Sequence, residues 1–394
     1  YLSIALFTLS ILGNNPRKIL WAMMLSSAVI SMWLSNTATV LMLLPISLAL
    51  IHQLKEDSPQ SKNGGFLFAT VLLLAIAYGS SIGGIATPVG TPPNIIFLGI
   101  YDKFFPEAPA ISFFQWMLYM IPLSIFLLVT VWSYLGFIVL RKKDLPGTQS
   151  RAHFREKYRE LGSLNLPQKW VLGIFLLTAL MWIFRSDIDL KFMTFQGWPS
   201  FLGLSAYIQD STIAMGMSIL LFIIHVPHDS ERIPLLRLQN IFQIPWDILL
   251  LFGGGFALAE GIQQTGLAEF VGNKLQFLEN FSPWVVLYLL TFSATIFTEF
   301  TSNTAVATPL LPITAVLATS IRFNPLFLML PVTIASSCAF MLPVSTPPNA
   351  IVFGTRYIPI KTMVKIVSIL VVIVSLLVSL YFYLIFYLFP VFNP

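Results

Sequence analysis

Apolar residues run along this chain in long blocks rather than in the one-faced stripe of a soluble helix. A membrane helix needs about 20 consecutive apolar residues. Residues 66–100, 113–140, 170–185, 211–226, 248–263 and 364–390 meet or approach that length, the first interrupted near 87–94. Two further segments, 19–51 and 283–321, are split at their middles by Ser-Asn-Thr, leaving about 15 residues per arm, short of a span. Such arms predict two re-entrant hairpins with polar tips inside the membrane. Irregular backbone is tolerated there only where protein or a water-filled cavity satisfies it, so each tip predicts a site.

The two tips belong to an internal repeat. The run Ser35-Asn36-Thr37-Ala38 returns as Ser302-Asn303-Thr304-Ala305, and both continue to a Leu-Leu-Pro, at Pro45 and Pro312. A second pair follows in the same order: Pro88-Val89-Gly90-Thr91-Pro92-Pro93-Asn94 returns as Pro343-Val344-Ser345-Thr346-Pro347-Pro348-Asn349. Five crossings are expected between the hairpins, and an odd number opens them to opposite sides, so the repeats read as inverted. With the first hairpin open to the cytoplasm, 17 of the 22 Lys and Arg fall inside, as the positive-inside rule requires.

Composition agrees with this picture. Charged residues make up 10% of the chain, against about a quarter in soluble domains, and 56% are hydrophobic, so the chain reads as an integral membrane protein. The formal charge of +5 resides in loops, above all 141–169, and does not point to nucleic acid. One cysteine, Cys338, excludes a disulfide framework, and scattered histidines at 52, 153, 225 and 228 leave little for zinc or a cofactor. Tyr1 opens inside an apolar run with no initiator Met or cleavage signature, so further chain is expected ahead of it.

The paired motifs constrain the chemistry. Pro92-Pro93 and Pro347-Pro348 lack amide donors, so the preceding helices should break, stranding the carbonyls of Pro88, Val89, Pro343 and Val344. A break leaves carbonyls at one half-helix end and unpaired amides at the next, suiting cations and anions respectively. Ser, Thr and Asn add neutral, hard oxygen, which suits Na⁺. The windows 31–46, 83–99, 296–320 and 333–354 contain no Lys, Arg or His, and Glu299 is their one ionisable side chain. A dianion bound there needs bound cations or aligned amides, because a buried uncompensated charge costs several kcal/mol. Discontinuous helices in inverted repeats are a common way for secondary transporters to build such sites.

Two Ser-Asn-Thr tips, each followed by Thr-Pro-Pro-Asn, with Thr298-Glu299-Phe300-Thr301 before the second tip, resemble the divalent anion/sodium symporter family along the whole chain. The resemblance implies an all-α, elevator-type homodimer with scaffold and transport domains. It implies scaffold at 1–18, 113–247 and 361–394, and transport-domain repeats at 19–112 and 248–360. A first Na⁺ site would use Ser31, Ser35, Asn36 and the Gly90 carbonyl, and a second Thr298, Thr301, Asn303 and the Ser345 carbonyl. Substrate carboxylates would meet Ser35, Asn36, Thr37, Ser302, Asn303 and Thr304, with Thr91 and Thr346 nearby. The expected activity is Na⁺-coupled symport of a four-carbon dicarboxylate through a bacterial inner membrane, with no cofactor besides the coupling ion and no enzymatic step. Sodium-independent dicarboxylate exchange, or carriage of citrate or sulfate, stays open on the same fold.

Other features have plainer readings. Gly83-Gly84 and Gly253-Gly254-Gly255 read as close-packing points. Glu299 reads as a cap for neighbouring amides before a proton carrier, Cys338 as packing, His225 as interfacial, and the aromatic tail around Tyr381, Tyr383, Phe386 and Tyr387 as a membrane-interface belt. An intramembrane hydrolase would need a nucleophile with a basic partner, which the motif windows lack, and a channel would not account for paired neutral sites.

Overall fold

The computed structural model describes residues 2–13, 15–56, 64–141, 151–189, 194–228, 231–244 and 246–388. Most of the polar loop at 52–64, the start of the basic loop at 141–169 and the last residues of the tail lie outside them. The helices are α1 (Leu2–Leu12), α2 (Pro16–Ser31), α3 (Asn36–Glu56), α4 (Gly64–Ile85), α5 (Pro92–Phe104), α6 (Phe113–Ser133), α7 (Arg151–Glu160), α8 (Leu166–Ile183), α9 (Trp198–Phe201), α10 (Asp210–Ile223), α11 (Trp246–Gln264), α12 (Leu267–Leu275), α13 (Pro283–Phe300), α14 (Asn303–Ser320), α15 (Pro325–Ser336), α16 (Pro347–Gly354) and α17 (Ile360–Leu388). Among the described residues, six helical stretches are long and apolar enough to cross a membrane, in α3, α4, α6 with its π-helical extension, α8, α13 and α17. Many helix starts follow local chemistry: Pro stands in the first turn of α2, α5, α8, α13, α15 and α16, where a missing N–H costs nothing.

Contacts divide the chain into two units. The first, Tyr1–Pro109, Tyr119–Glu160 and Leu251–Pro394, is built around α4. Every residue from Phe68 to Ile85 is buried, as expected of a helix apolar on all sides. Against it pack α2 and α3, joined by a four-residue turn at Met32–Ser35. The second helix pair, α13 and α14, meets at Thr301–Ser302 and packs on α15. Packing is exchanged between the repeats: α5 lies on α14 and α15, and α16 lies on α3 and α4. Hydrogen bonds from Ser124 Oγ to the Ile82 carbonyl (2.8 Å) and from Tyr134 Oη to the Ile366 carbonyl (2.6 Å) fasten α6 to α4 and the π-helical turn Tyr134–Val139 to α17. Thus α6 beyond Tyr119 and α17 group by contact with the hairpin core.

The second unit, Ala110–Leu118 and Leu161–Leu250, holds α8, α9 and α10 with two antiparallel ribbons, β1 (Ile188–Asp189) with β2 (Thr194–Phe195) and β3 (His225–His228) with β4 (Glu231–Pro234). An all-α expectation is therefore incomplete here. The apolar run expected at 211–226 forms α10 of only 14 residues, about 21 Å at 1.5 Å per residue. It stops at Ile223, and the chain passes through the extended Ile224 into β3. His225, in that ribbon, turns its Nδ1 to the Ile223 carbonyl at 2.8 Å. Trp182 Nε1 donates to the Asp210 carbonyl at 2.9 Å, and Arg185 pairs with the Asp210 carboxylate, tying α8 to the start of α10.

The hairpin arms also differ from expectation. They hold 16, 21, 18 and 18 residues in α2, α3, α13 and α14, and α3 and α13 reach spanning length by composition. The helical breaks are wider than the proline pairs alone predict, covering 86–91 and 337–346.

Candidate functional site at the tips and breaks

At both tips the Ser caps the following helix. Ser35 Oγ accepts from the Ala38 amide and Ser302 Oγ from the Ala305 amide, each at 3.3 Å. These long bonds leave each hydroxyl's proton and a lone pair for other partners. The next residue turns back. Ser31 Oγ donates to Asn36 Oδ1 at 2.7 Å, and Thr298 Oγ1 lies 2.9 Å from Asn303 Oδ1, so a five-residue spacing closes the turn identically in both repeats. Thr298 Oγ1 also reaches the Ser336 carbonyl at 2.8 Å, joining the second tip to the end of α15.

Each break is shaped by the Asn that ends its Thr-Pro-Pro-Asn. Asn94 Nδ2 donates to the carbonyls of Gly84 (3.1 Å) and Thr87 (2.8 Å), ten and seven residues back. Asn349 Nδ2 donates to the carbonyls of Ala339 and Leu342, both at 3.2 Å and at the same two offsets. A carbonyl only accepts, so the nitrogen's orientation is fixed by chemistry. Both Asn are fully buried, and among the described residues neither Oδ1 has a hydrogen-bond partner. The breaks were expected from the proline pairs, with no role given to these Asn; their repetition in the same motif was a signal that could have found them.

The first tip and first break meet at Gly84. A Cβ there would stand 2.6 Å from Asn36 Oδ1, 3.1 Å from the Gly90 carbonyl and 3.3 Å from Thr91 Cβ. Asn36, Gly90 and Thr91 are thus brought together around a glycine that was expected only to pack. Gly83 does pack, against the Ala28 backbone, and Gly255 packs against Thr308. Among the described residues nothing lies within 4 Å of a Cβ built on Gly253 or Gly254, so close packing does not account for those two. Thr87 Oγ1 donates to the Met32 carbonyl, closing the first break onto the first turn.

The second break is held differently. Glu299, fully buried, accepts the Phe340 amide on Oε1 (2.9 Å) and the Met341 (2.7 Å) and Leu342 (3.3 Å) amides on Oε2. This is the amide-capping role its position suggested. Ser345 Oγ donates to the Leu342 carbonyl at 2.6 Å, and Thr346 Oγ1 accepts the Asn349 amide at 3.3 Å. Thr91, its counterpart, is buried, and its Oγ1 has no hydrogen-bond partner among the described residues. Ser35, Thr301 and Ser302 are exposed, Asn36, Thr37 and Asn303 half-buried, and Thr304 buried. Thr301 stands at the turn in extended backbone. Cys338 is buried in the second break, as a packing residue would be.

What the arrangement offers is a pair of neutral oxygen clusters, each made from a tip carboxamide, a hydroxyl one turn before it, and backbone of a broken helix. A family model for the sodium:sulfate symporter transmembrane region matches residues 3–389. The chain belongs to that family. It is 41% identical over 370 residues to a sodium-dependent dicarboxylate transporter, SdcS, of Staphylococcus saprophyticus, covering 92% of this chain and 68% of the relative. It is 39% identical over 367 residues to the transporter of that name in Staphylococcus aureus, with the same coverage. Among solved structures, the Alcanivorax borkumensis YdaH transporter superposes with a TM-score of 0.59 at 14% identity, covering 100% of this chain and 84% of that one. That likeness concerns the fold. As a member of the sodium:sulfate symporter family with several spanning helices, the protein is a multi-pass integral membrane protein.

Proposed function

We propose that the protein is a secondary active transporter that moves a small dianion, most simply a four-carbon dicarboxylate such as succinate, malate or fumarate, together with Na⁺ through a bacterial plasma membrane. The observation that carries this reading is the doubled neutral site: Ser31–Asn36 and Thr298–Asn303 bonded alike, each beside a broken helix. The names of the staphylococcal relatives support both the ion and the substrate class.

In this reading Ser31, Ser35, Asn36 and the Gly90 carbonyl hold one Na⁺, and Thr298, Thr301, Asn303 and the Ser345 carbonyl a second. The hydroxyl protons of Ser31 and Thr298 turn away from Asn36 and Asn303, so that both oxygens of each pair face the ion. Carboxylates then meet Ser35, Asn36 and Thr37 on one side and Ser302, Asn303 and Thr304 on the other, at the positive ends of α3 and α14, with Thr91 and Thr346 beside them. A dianion without basic side chains is bound well only after the cations, because each uncompensated charge costs several kcal/mol. This ordering is the source of coupling.

The two hairpins are re-entrant and the repeats inverted, and transport proceeds by an elevator motion within a homodimer. The hydrogen bonds of Ser124 and Tyr134 favour α6 and α17 travelling with the hairpin core rather than standing in the scaffold. The test is uptake of labelled succinate into proteoliposomes under an inward Na⁺ gradient, against a matched K⁺ gradient. Uptake with Na⁺ alone is expected. Uptake indifferent to Na⁺ but dependent on internal dicarboxylate would replace symport by exchange.

A further inference from the structure

Tyr78 lies on α4, six residues before Gly84, and is fully buried. Its hydroxyl donates to the Phe340 carbonyl at 2.8 Å, and the two rings sit 4.8 Å apart. The same Phe340 gives its amide to Glu299, the neighbour of Thr298 in sequence, and Thr298 bonds the second-tip Asn303. One peptide segment of the second break is therefore held on one side by the first repeat and on the other by the arm carrying the second tip. The arrangement has no mirror image. The second-repeat residue in register with Tyr78 is Thr333, whose hydroxyl turns back to the Met329 carbonyl within its own helix (2.7 Å).

We propose that Tyr78 is a positioning residue that sets the second cation site and couples it to the first. This rests on the sodium-coupled reading above. The end of α4 is where Gly84 meets Asn36 and the Gly90 carbonyl, so an ion at the first tip fixes that end of the helix. Through Tyr78, a fixed α4 fixes Phe340, and with it the segment running on to Ser345. Without the hydroxyl, that segment keeps its Glu299 and Asn349 bonds and the ring contact with position 78 but loses the hydrogen bond that ties the Phe340 carbonyl to α4. Site two then has to be ordered by its own ion.

The experiment is a Na⁺ titration of succinate uptake, with Na⁺-dependent thermal stabilisation of the detergent-purified protein, for wild type, Tyr78→Phe and Tyr134→Phe. Tyr134 also gives a hydroxyl to a carbonyl, that of Ile366, away from both breaks. Tyr78→Phe is expected to raise the half-saturating Na⁺ several-fold and to lower the Hill coefficient toward 1. The succinate KM at saturating Na⁺ should stay within twofold of wild type. Tyr134→Phe should leave the Na⁺ curve unchanged. An unchanged curve for Tyr78→Phe, or the same change in both variants, overturns the proposal. If Tyr78→Phe does not fold, 3-fluorotyrosine at position 78 keeps the hydroxyl as a stronger donor and should lower the half-saturating Na⁺; an unaltered curve refutes the coupling. A wild-type protein that ignores Na⁺ would sink the sodium-coupled reading and this proposal together, whereas a Na⁺-driven wild type with indifferent variants sinks only this one.

Discussion

Replacing Gly84 by Ala separates folding from function at one atom. The added Cβ would lie 2.6 Å from Asn36 Oδ1, closer than such contacts allow, and 3.1 Å from the Gly90 carbonyl. Two effects on stability oppose each other. Ala gains about 1 kcal/mol over Gly in a helix interior, while overpacking costs about 1–3 kcal/mol. The nearest obstacle is the end of a side chain, which can rotate, so the strain is relieved by moving Asn36. Fold stability should then change by less than about 1 kcal/mol. The second repeat carries Ala339 at the matching position, its carbonyl held by Asn349 as Gly84's is by Asn94, so the break itself tolerates the methyl. In the proposed site the cost falls on the ion, because Asn36 Oδ1 leaves the place where it accepts from Ser31. Moving the whole penalty of about 1–3 kcal/mol onto binding raises the half-saturating Na⁺ about 5- to 150-fold. Gly83→Ala is the contrasting variant, since its Cβ would strike the Ala28 backbone, which has no rotamer to change. It should lower Tm and folded yield. The assay is Na⁺-dependent uptake beside thermal unfolding for both. A Gly84→Ala protein with wild-type Na⁺ affinity, or one as unstable as Gly83→Ala, would refute the reasoning.

Asn36→Ala and Asn303→Ala should each abolish Na⁺-driven succinate uptake while gel filtration and Tm stay near wild type; retained uptake would remove these residues from the site. Glu299→Ala orphans three amides that now bond a carboxylate, each worth about 1–3 kcal/mol when left unpaired, and should cost most of the folded protein. Glu299→Gln, which keeps one acceptor, should be intermediate by thermal unfolding. Asn94→Leu and Asn349→Leu each remove two hydrogen bonds to carbonyls at the breaks and should weaken Na⁺ binding by a similar factor in uptake titrations; an effect confined to one repeat would break the parallel drawn from their matching offsets.

The tips and the starts of α5 and α16 were legible because their signals are local and occur twice. Ser-Asn-Thr marks each turn and Pro-Pro opens a helix, whereas Ser31 and Thr298, whose hydroxyls reach the tip carboxamides, came only through the family resemblance. Where α4 and α15 end was not legible, because proline fixes the start of the following helix only. Their ends depend on Asn94 and Asn349 gripping carbonyls ten residues back and on Glu299 collecting amides some forty residues ahead. The roles of the glycines were equally hidden. Gly83 and Gly84 are adjacent, yet one faces backbone and the other Asn36, a distinction that exists only once α2, α3 and α4 are packed. At α10 the apolar run looked longer than its helix because hydropathy does not register the turn into β3.

The two halves share their oxygen chemistry but not the way they hold it. In register, Met32 stands in the first repeat where Glu299 stands in the second, and it serves through its backbone, as acceptor for Thr87. Glu299 places a carboxylate next to Thr298, yet its oxygens are taken up by three amides, so its charge is directed into the break rather than toward the tip. Both tips thereby remain lined by neutral oxygen. A free carboxylate at either would hold Na⁺ without substrate and repel a dianion, and the two would no longer depend on each other. In the proposed site, neutral tips would bind each weakly alone and both well together, so a carboxylate whose amides satisfy it supports the break without dissolving that coupling.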